Sequence, residues 1–150
     1  MISLICKKYK ITNYTINPDG TIDVNGHVYL WNKGLTELPL TFNKVSGYFD
    51  CAGNNLTTLK GSPRWVGGGF YCDNNQLTSL EFSPEYIDRN FWCQYNNLTD
   101  NYCDTEIGGG FYTTSTQDGL VFIGNNIATN YNEWRKLYKR KKILNDIFNM

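Results

Sequence analysis

Apolar and polar positions along this chain recur with a fixed period of 21 residues. From Val45 the chain reads VSGYFDCAGNNLTTLKGSPRW, and from Val66 it reads VGGGFYCDNNQLTSLEFSPEY. With Val45 as position one, that position is held by Val24, Val45, Val66, Ile87 and Ile107, at spacings of 21, 21, 21 and 20. Position five is Val28, Phe49, Phe70, Phe91 and Phe111. Position seven is Leu30, Cys51, Cys72, Cys93 and Thr113. Position twelve is Leu35, Leu56, Leu77 and Leu98; position fifteen is Leu38, Leu59 and Leu80, until Asn101 breaks the pattern. A period of this length marks a solenoid, in which each supersecondary unit buries its apolar face against the next.

Alternation inside each phrase predicts a short strand over positions three to eight. Positions five and seven point inward, and four, six and eight outward. Asn54, Asn75 and Asn96 at position ten fall where the chain turns, and their side chains are predicted to bond backbone groups of neighbouring coils as a ladder. Pro63 and Pro84 favour an extended convex side, and Gly26, Gly47 and Gly68 ease the start of each strand. Ahead of the repeats, Ile2, Leu4, Ile11, Tyr14 and Ile16 alternate in part, which predicts strand. Asn17-Pro18-Asp19-Gly20 is a turn signal, so residues 11–16 and 21–24 are predicted to pair as a hairpin covering the N-terminal end. Past Thr113, STQDGLVFIG predicts a turn at Asp118-Gly119 and a strand at the far edge. From Asn130 the period becomes helical: Trp134, Leu137, Tyr138, Leu144, Ile147 and Phe148 predict an amphipathic helix over 131–148, docked on the last coil. The chain therefore reads as one domain, with an N-terminal cap (1–23), repeats (24–113) and a C-terminal cap (114–150).

The phrase F-x-C-x-x-N-x-L-x-x-L, with Leu38-Pro39, resembles the leucine-rich repeat, with Phe and Cys in two of the leucine places. The short period resembles the bacterial subtype, in which a strand is followed by an extended convex segment. The expected fold class is thus a β-rich solenoid: a leucine-rich-repeat-like parallel sheet of about five strands, a β-hairpin cap and an α-helix cap. The wording NPDGTIDVNG and GLTELPLTFNKVSGYFDCAGNNLTTLKGSP also resembles short repeat proteins of tailed bacteriophages. The leucine-rich likeness covers about residues 20 to 106. The phage likeness implies a small protein of the host bacterial cytoplasm with no catalytic residues carried over.

Composition changes this picture little. At 150 residues the chain has the size of one domain. Eleven Tyr, eight Phe and four Trp make it rich in aromatics. Formal net charge is zero, so bulk charge selects no partner class. Its distribution is uneven: residues 135–142 hold six of the fourteen basic residues, and residues 11–130 hold twelve acids against five bases. No signal peptide or apolar run of membrane-spanning length is present, so a soluble, cytoplasmic protein is expected. Five cysteines, three of them 21 residues apart, do not resemble a secreted disulfide framework. Cys51, Cys72 and Cys93 are expected to form an inward column of small buried side chains; a disulfide between neighbours is allowed by distance. No metal site or cofactor is expected.

The outward positions carry the candidate chemistry. Position six supplies Tyr29, Asp50, Tyr71, Trp92 and Tyr112; position four supplies His27, Tyr48 and Asn90; position eight supplies Trp31, Asp73 and Gln94. Five strands would make a face about 19 Å across. Large amphipathic aromatics concentrate in binding hot spots; the same residues also favour strands and pair across them. Asp50 and Asp73 resemble a glycosidase pair only in spacing, because an open sheet has no pocket to raise one pKa. The preferred expectation is a non-enzymatic, protein-binding module using Tyr29, Trp31, Tyr48, Asp50, Tyr71, Asp73, Trp92, Gln94 and Tyr112. The alternatives are a small ligand or glycan on that face, or nucleic acid on the basic helix through Arg135, Lys136, Lys139 and Arg140. The acidic repeat surface argues against nucleic acid.

Overall fold

The computed structural model describes residues 1–99, 103–115 and 119–123, together with residues 136, 140, 143, 144 and 147. One short helix, α1 (Ile2–Lys8), precedes twelve strands: β1 (Tyr14–Ile16), β2 (Ile22–Val24), β3 (Val28–Tyr29), β4 (Phe42–Val45), β5 (Phe49–Asp50), β6 (Trp65–Val66), β7 (Phe70–Tyr71), β8 (Tyr86–Ile87), β9 (Phe91–Trp92), β10 (Glu106–Ile107), β11 (Phe111–Ser115) and β12 (Gly119–Ile123). The repeats wind into a β-solenoid of about four turns, and each turn adds one strand to each of two sheets. The first sheet runs β1-β2-β4-β6-β8-β10 and the second β12-β11-β9-β7-β5-β3.

Register follows the repeat. Val45 pairs with Val66, Val66 with Ile87 and Ile87 with Ile107, all parallel. In the second sheet Phe49 pairs with Phe70, Phe70 with Phe91 and Phe91 with Phe111. Identical positions therefore stack, and the core is a set of columns. Phe49, Phe70, Phe91 and Phe111 are fully buried, with ring centroids 5.4, 5.4 and 5.3 Å apart. Each such ring contributes about 2–3 kcal/mol of burial. Leu56, Leu59, Leu77 and Leu80 close the opposite side of the core, and no helix interrupts the extended segments of residues 24–99.

One expected strand per coil is in fact two. The residues at position one and just before it form their own sheet, and the chain bends at positions two and three before the second strand begins. Successive backbones meet closely at that bend: Gly68 N–H donates to the Gly47 carbonyl at 2.9 Å. A Cβ on Gly68 would lie 2.8 Å from the Gly47 carbonyl carbon and 2.9 Å from the Tyr48 nitrogen, so the stacking itself requires glycine there.

The position-ten asparagines do form a ladder. Asn54 Oδ1 accepts from the Lys33 and Leu35 N–H groups at 2.9 and 3.0 Å. Its Nδ2 donates to the Leu30 and Cys51 carbonyls, both at 2.9 Å. Asn75 and Asn96 repeat the arrangement one and two coils on. Immediately before each stands a residue in the left-handed region, Gly53, Asn74 or Tyr95, with φ between 54° and 64°, and Asn32 holds the equivalent place before Lys33 at φ 52°. That residue turns the chain out of the second sheet, and the asparagine satisfies the backbone groups the turn exposes inside.

The expected N-terminal strand over Ile2 and Leu4 is a helix instead. Ile2, Ile5, Cys6 and Tyr9 share one helical face and pack on the core, whereas Leu4 is 72% exposed. Their spacing of three, one and three is helical, and the apparent alternation of Ile2 and Leu4 was fortuitous. The helix ends in a Schellman motif: Lys10 N–H donates to the Lys7 carbonyl at 3.2 Å, and Ile11 N–H to the Cys6 carbonyl at 2.8 Å. Lys10 holds the left-handed position at φ 56°, where glycine is usual and a side chain costs about 1 kcal/mol. The expected hairpin is present, with β1 antiparallel to β2 and Tyr14 opposite Val24. At the other end β11 runs antiparallel to β12. The turn between them lies outside the described residues. So does most of the helix expected over 131–148; within it Lys136, Arg140, Leu144 and Ile147 are helical and exposed, Leu144 and Ile147 by 52% and 59%, so burial on a docked apolar stripe is not seen at these two residues.

Candidate functional site

Two-residue strands with inward phenylalanines throw the aromatic side chains of positions four and six to the outside of the second sheet. Six rings from these positions form one unbroken row. His27 lies 5.6 Å from Tyr29 and stacks on Tyr48 at 5.1 Å. Tyr48 is followed by Tyr71 at 6.1 Å, Trp92 at 6.3 Å and Tyr112 at 3.7 Å. The Trp92 and Tyr112 planes are within 4° of parallel. The coil rise of about 4.8 Å sets this spacing. Small residues at position four make room for it: a Cβ on Gly69 would come within 3.0 Å of the Tyr71 ring. Tyr29 and Trp31 are 57% and 58% exposed, and Tyr48, Asp50, Tyr71, Asp73, Trp92 and Tyr112 are half-buried.

Polar groups flank the row. Asp50 accepts from the Ala52 N–H at 3.0 Å. Contrary to the expectation for an open sheet, burial raises the pKa of the Asp50 carboxyl; the Ala52 hydrogen bond opposes this and the Asp73 charge adds to it. Asp73 accepts from the Asn74 amide at 2.8 Å. Burial, then Tyr48 and Asp50, push the Tyr71 phenol up, while Arg89 lowers it. Gln94, expected outside, is buried at 9% exposure. Trp92 Nε1 and Gln94 Oε1 are both shielded and have no hydrogen-bond partner among the described residues.

The face brings together seven of the nine expected residues around one row and sets Trp31 and Gln94 at its border. Sequence reasoning left two participants aside. His27 is part of the row, and its Nδ1 accepts the Tyr48 N–H at 2.9 Å. Arg89 Nη1 reaches the Tyr48 hydroxyl at 3.5 Å. Their repeat positions, four and three, were the signal for this placement. A second aromatic row, not foreseen, lies on the first sheet: Lys44 Nζ sits 4.6 Å over Trp65, and Trp65 stacks on Tyr86 at 6.0 Å. All of these residues occupy the position preceding position one.

The cysteines have no exposed chemistry. Cys6, Cys51, Cys72, Cys93 and Cys103 are free thiols and buried. Burial is the largest cause raising the Cys51, Cys72 and Cys93 pKa values, so none supplies a thiolate. Cys51 and Cys93 donate to the Tyr71 and Tyr112 carbonyls at 3.3 Å. Arg135 and Lys139 of the expected basic helix lie outside the described residues; Lys136 and Arg140, four apart, are exposed. Among the described residues no helix is long and apolar enough to cross a membrane. Comparison with protein-family models, with curated proteins and with solved structures returns no match.

Proposed function

We propose that this protein is a non-enzymatic binding module that engages a cationic protein segment on the outer face of its second sheet. The observation that carries the reading is the unbroken row of six rings from Tyr29 to Tyr112. Such a row presents a continuous apolar strip of aromatic rings with tyrosine hydroxyls, the composition of binding hot spots. Asp50, at the end of β5, and Asp73, just past β7, lie in neighbouring coils beside it. A cationic group docked between them would relieve their repulsion and draw the raised Asp50 pKa down. Binding would therefore weaken on acidification as Asp50 takes up its proton.

The leucine-rich-repeat identity belongs to this reading. It is supported by the period, the asparagine ladder and the helix-free convex segments. So do the caps: α1 with the β1–β2 hairpin at one end, and the basic C-terminal segment at the other. The likeness of the repeat wording to phage-encoded proteins directs the search for a partner to bacterial lysate, where a host protein is the expected ligand.

Pull-down from nuclease-treated and untreated lysate tests the reading. The baits are wild type, a folded Tyr71→Ala/Trp92→Ala variant, and a Lys136→Glu/Arg140→Glu variant. A protein held by wild type and lost only with the aromatic variant supports the aromatic face. Retention that survives the aromatic variant but fails with nuclease or with helix charge reversal transfers the function to the basic segment and nucleic acid.

A further inference from the structure

We propose that the N-terminal end of the ring row is a binding site for a phosphomonoester carried on a planar ring. A cavity of about 230 Å³ opens there between α1 and the first coil. Lys8, Tyr9, Lys10, His27, Tyr29 and Lys33 line it. Three lysines thus line one cavity, two from the end of α1 and one from the first coil; Lys8 Nζ lies 5.1 Å over the Tyr9 ring, and none of the three has an ion-pair partner among the described residues. Like charges held together oppose folding unless an anion joins them. The repeat region has acids to spare, twelve against five bases over residues 11–130, and none lines this cavity.

The backbone fixes where these lysines stand. Lys8 ends α1. Lys10 occupies the left-handed residue of the Schellman motif, at φ 56°, where glycine would be easier. Lys33 is tied through its N–H to Asn54 Oδ1 at 2.9 Å, so the first rung of the asparagine ladder holds it. His27 adds a directional donor. Its Nδ1 accepts the Tyr48 N–H, so the neutral ring carries its proton on Nε2.

This lining divides into two chemistries. The ammonium groups and the imidazole N–H suit the oxygens of a phosphate dianion. Tyr9, Tyr29 and the His27 ring, 5.6 Å from Tyr29, suit a flat apolar group beside it. The volume is smaller than that of most drug-sized ligand sites, which selects a small phosphate ester. This site is separate from the acidic part of the row around Asp50 and Asp73, and goes beyond the protein-binding reading.

Backbone-amide NMR titration of the full chain tests it, with phenyl phosphate, adenosine monophosphate, inorganic phosphate and adenosine as probes. The two esters are expected to shift the amides of residues 8–11, 27–29 and 33 saturably, on the order of tenfold more tightly than inorganic phosphate. Adenosine alone should leave those amides unmoved, and added salt should weaken the esters. Lys10→Gly separates fold from function: it relieves the left-handed strain and should raise Tm, yet weaken ester binding about fivefold. Lys8→Gln/Lys33→Gln should abolish saturation. Absence of a saturable shift, equal affinity for inorganic phosphate, binding of adenosine alone, or full affinity in Lys10→Gly would each overturn the proposal. Tyr71→Ala/Trp92→Ala should leave ester binding intact, so this site and the protein-binding face fail independently.

Discussion

At the scale of single residues, Asn75 ties its own coil to the one before it. Its Oδ1 accepts the Leu56 N–H at 2.9 Å, and its Nδ2 donates to the Cys51 and Cys72 carbonyls at 3.0 and 3.1 Å. Asn75→Ala strands the buried Leu56 N–H and leaves the Cys51 and Cys72 carbonyls only the Asn54 and Asn96 amides, and should cost about 1–3 kcal/mol in urea unfolding. A loss below roughly 0.5 kcal/mol would mean that water replaces the amide freely. Asp50 behaves in the opposite sense. Its folded-state pKa is raised, so its ionised form is disfavoured by folding. The associated stability is fully present below the unfolded pKa and is lost as pH rises through the folded one. Asp50→Asn removes the charge and can keep an oxygen for the Ala52 N–H. Its Tm should exceed wild type by about 2 °C at neutral pH. The gap should close near pH ~3, below the usual carboxylate range. A gap that widens in acid would contradict the assigned cause.

At the scale of elements, the solenoid depends on how near one coil can approach the next. Gly68 sits where two backbones touch, in the bend between β6 and β7. Gly68→Ala should destabilise by about 2 kcal/mol or more, because only backbone could yield. Tolerance of alanine, measured by thermal unfolding, would show that the coils can separate locally. The same element scale explains the misjudged N-terminus. Over seven residues, a period of two and a period of 3.6 share several apolar positions. Cys6 and Tyr9 decide between them, and their burial is visible only once α1 packs on the core.

At the scale of the whole molecule, stability is expected to be a sum of coil and neighbour contributions. Excision of residues 66–86 removes one full phrase and brings Ile87 next to Val45, a pairing of equivalent positions. That variant should fold, retain a strand-type circular dichroism spectrum, and unfold with a denaturant m-value lowered roughly in proportion to the chain removed. Loss of cooperative unfolding would show that the coils differ in more than order. Charge also acts at this scale. The basic N-terminal end and the acidic repeat face lie along one ring row, so ligands of opposite sign are directed to different ends of it.

The period, the inward columns, the asparagine ladder and the outward aromatic positions were legible in the sequence, because identical residues at identical spacing must stack once the coil closes. Tyr71 and Trp92 could be placed on one face from alternation alone. The division of each coil between two sheets was not legible, because two extended strands joined by a bend have the same alternation as one. Nor was the meeting of Lys8, Lys10 and Lys33 with His27. Those residues lie in unrelated positions of the pattern, and only the packing of α1 against the first coil brings their side chains to one cavity.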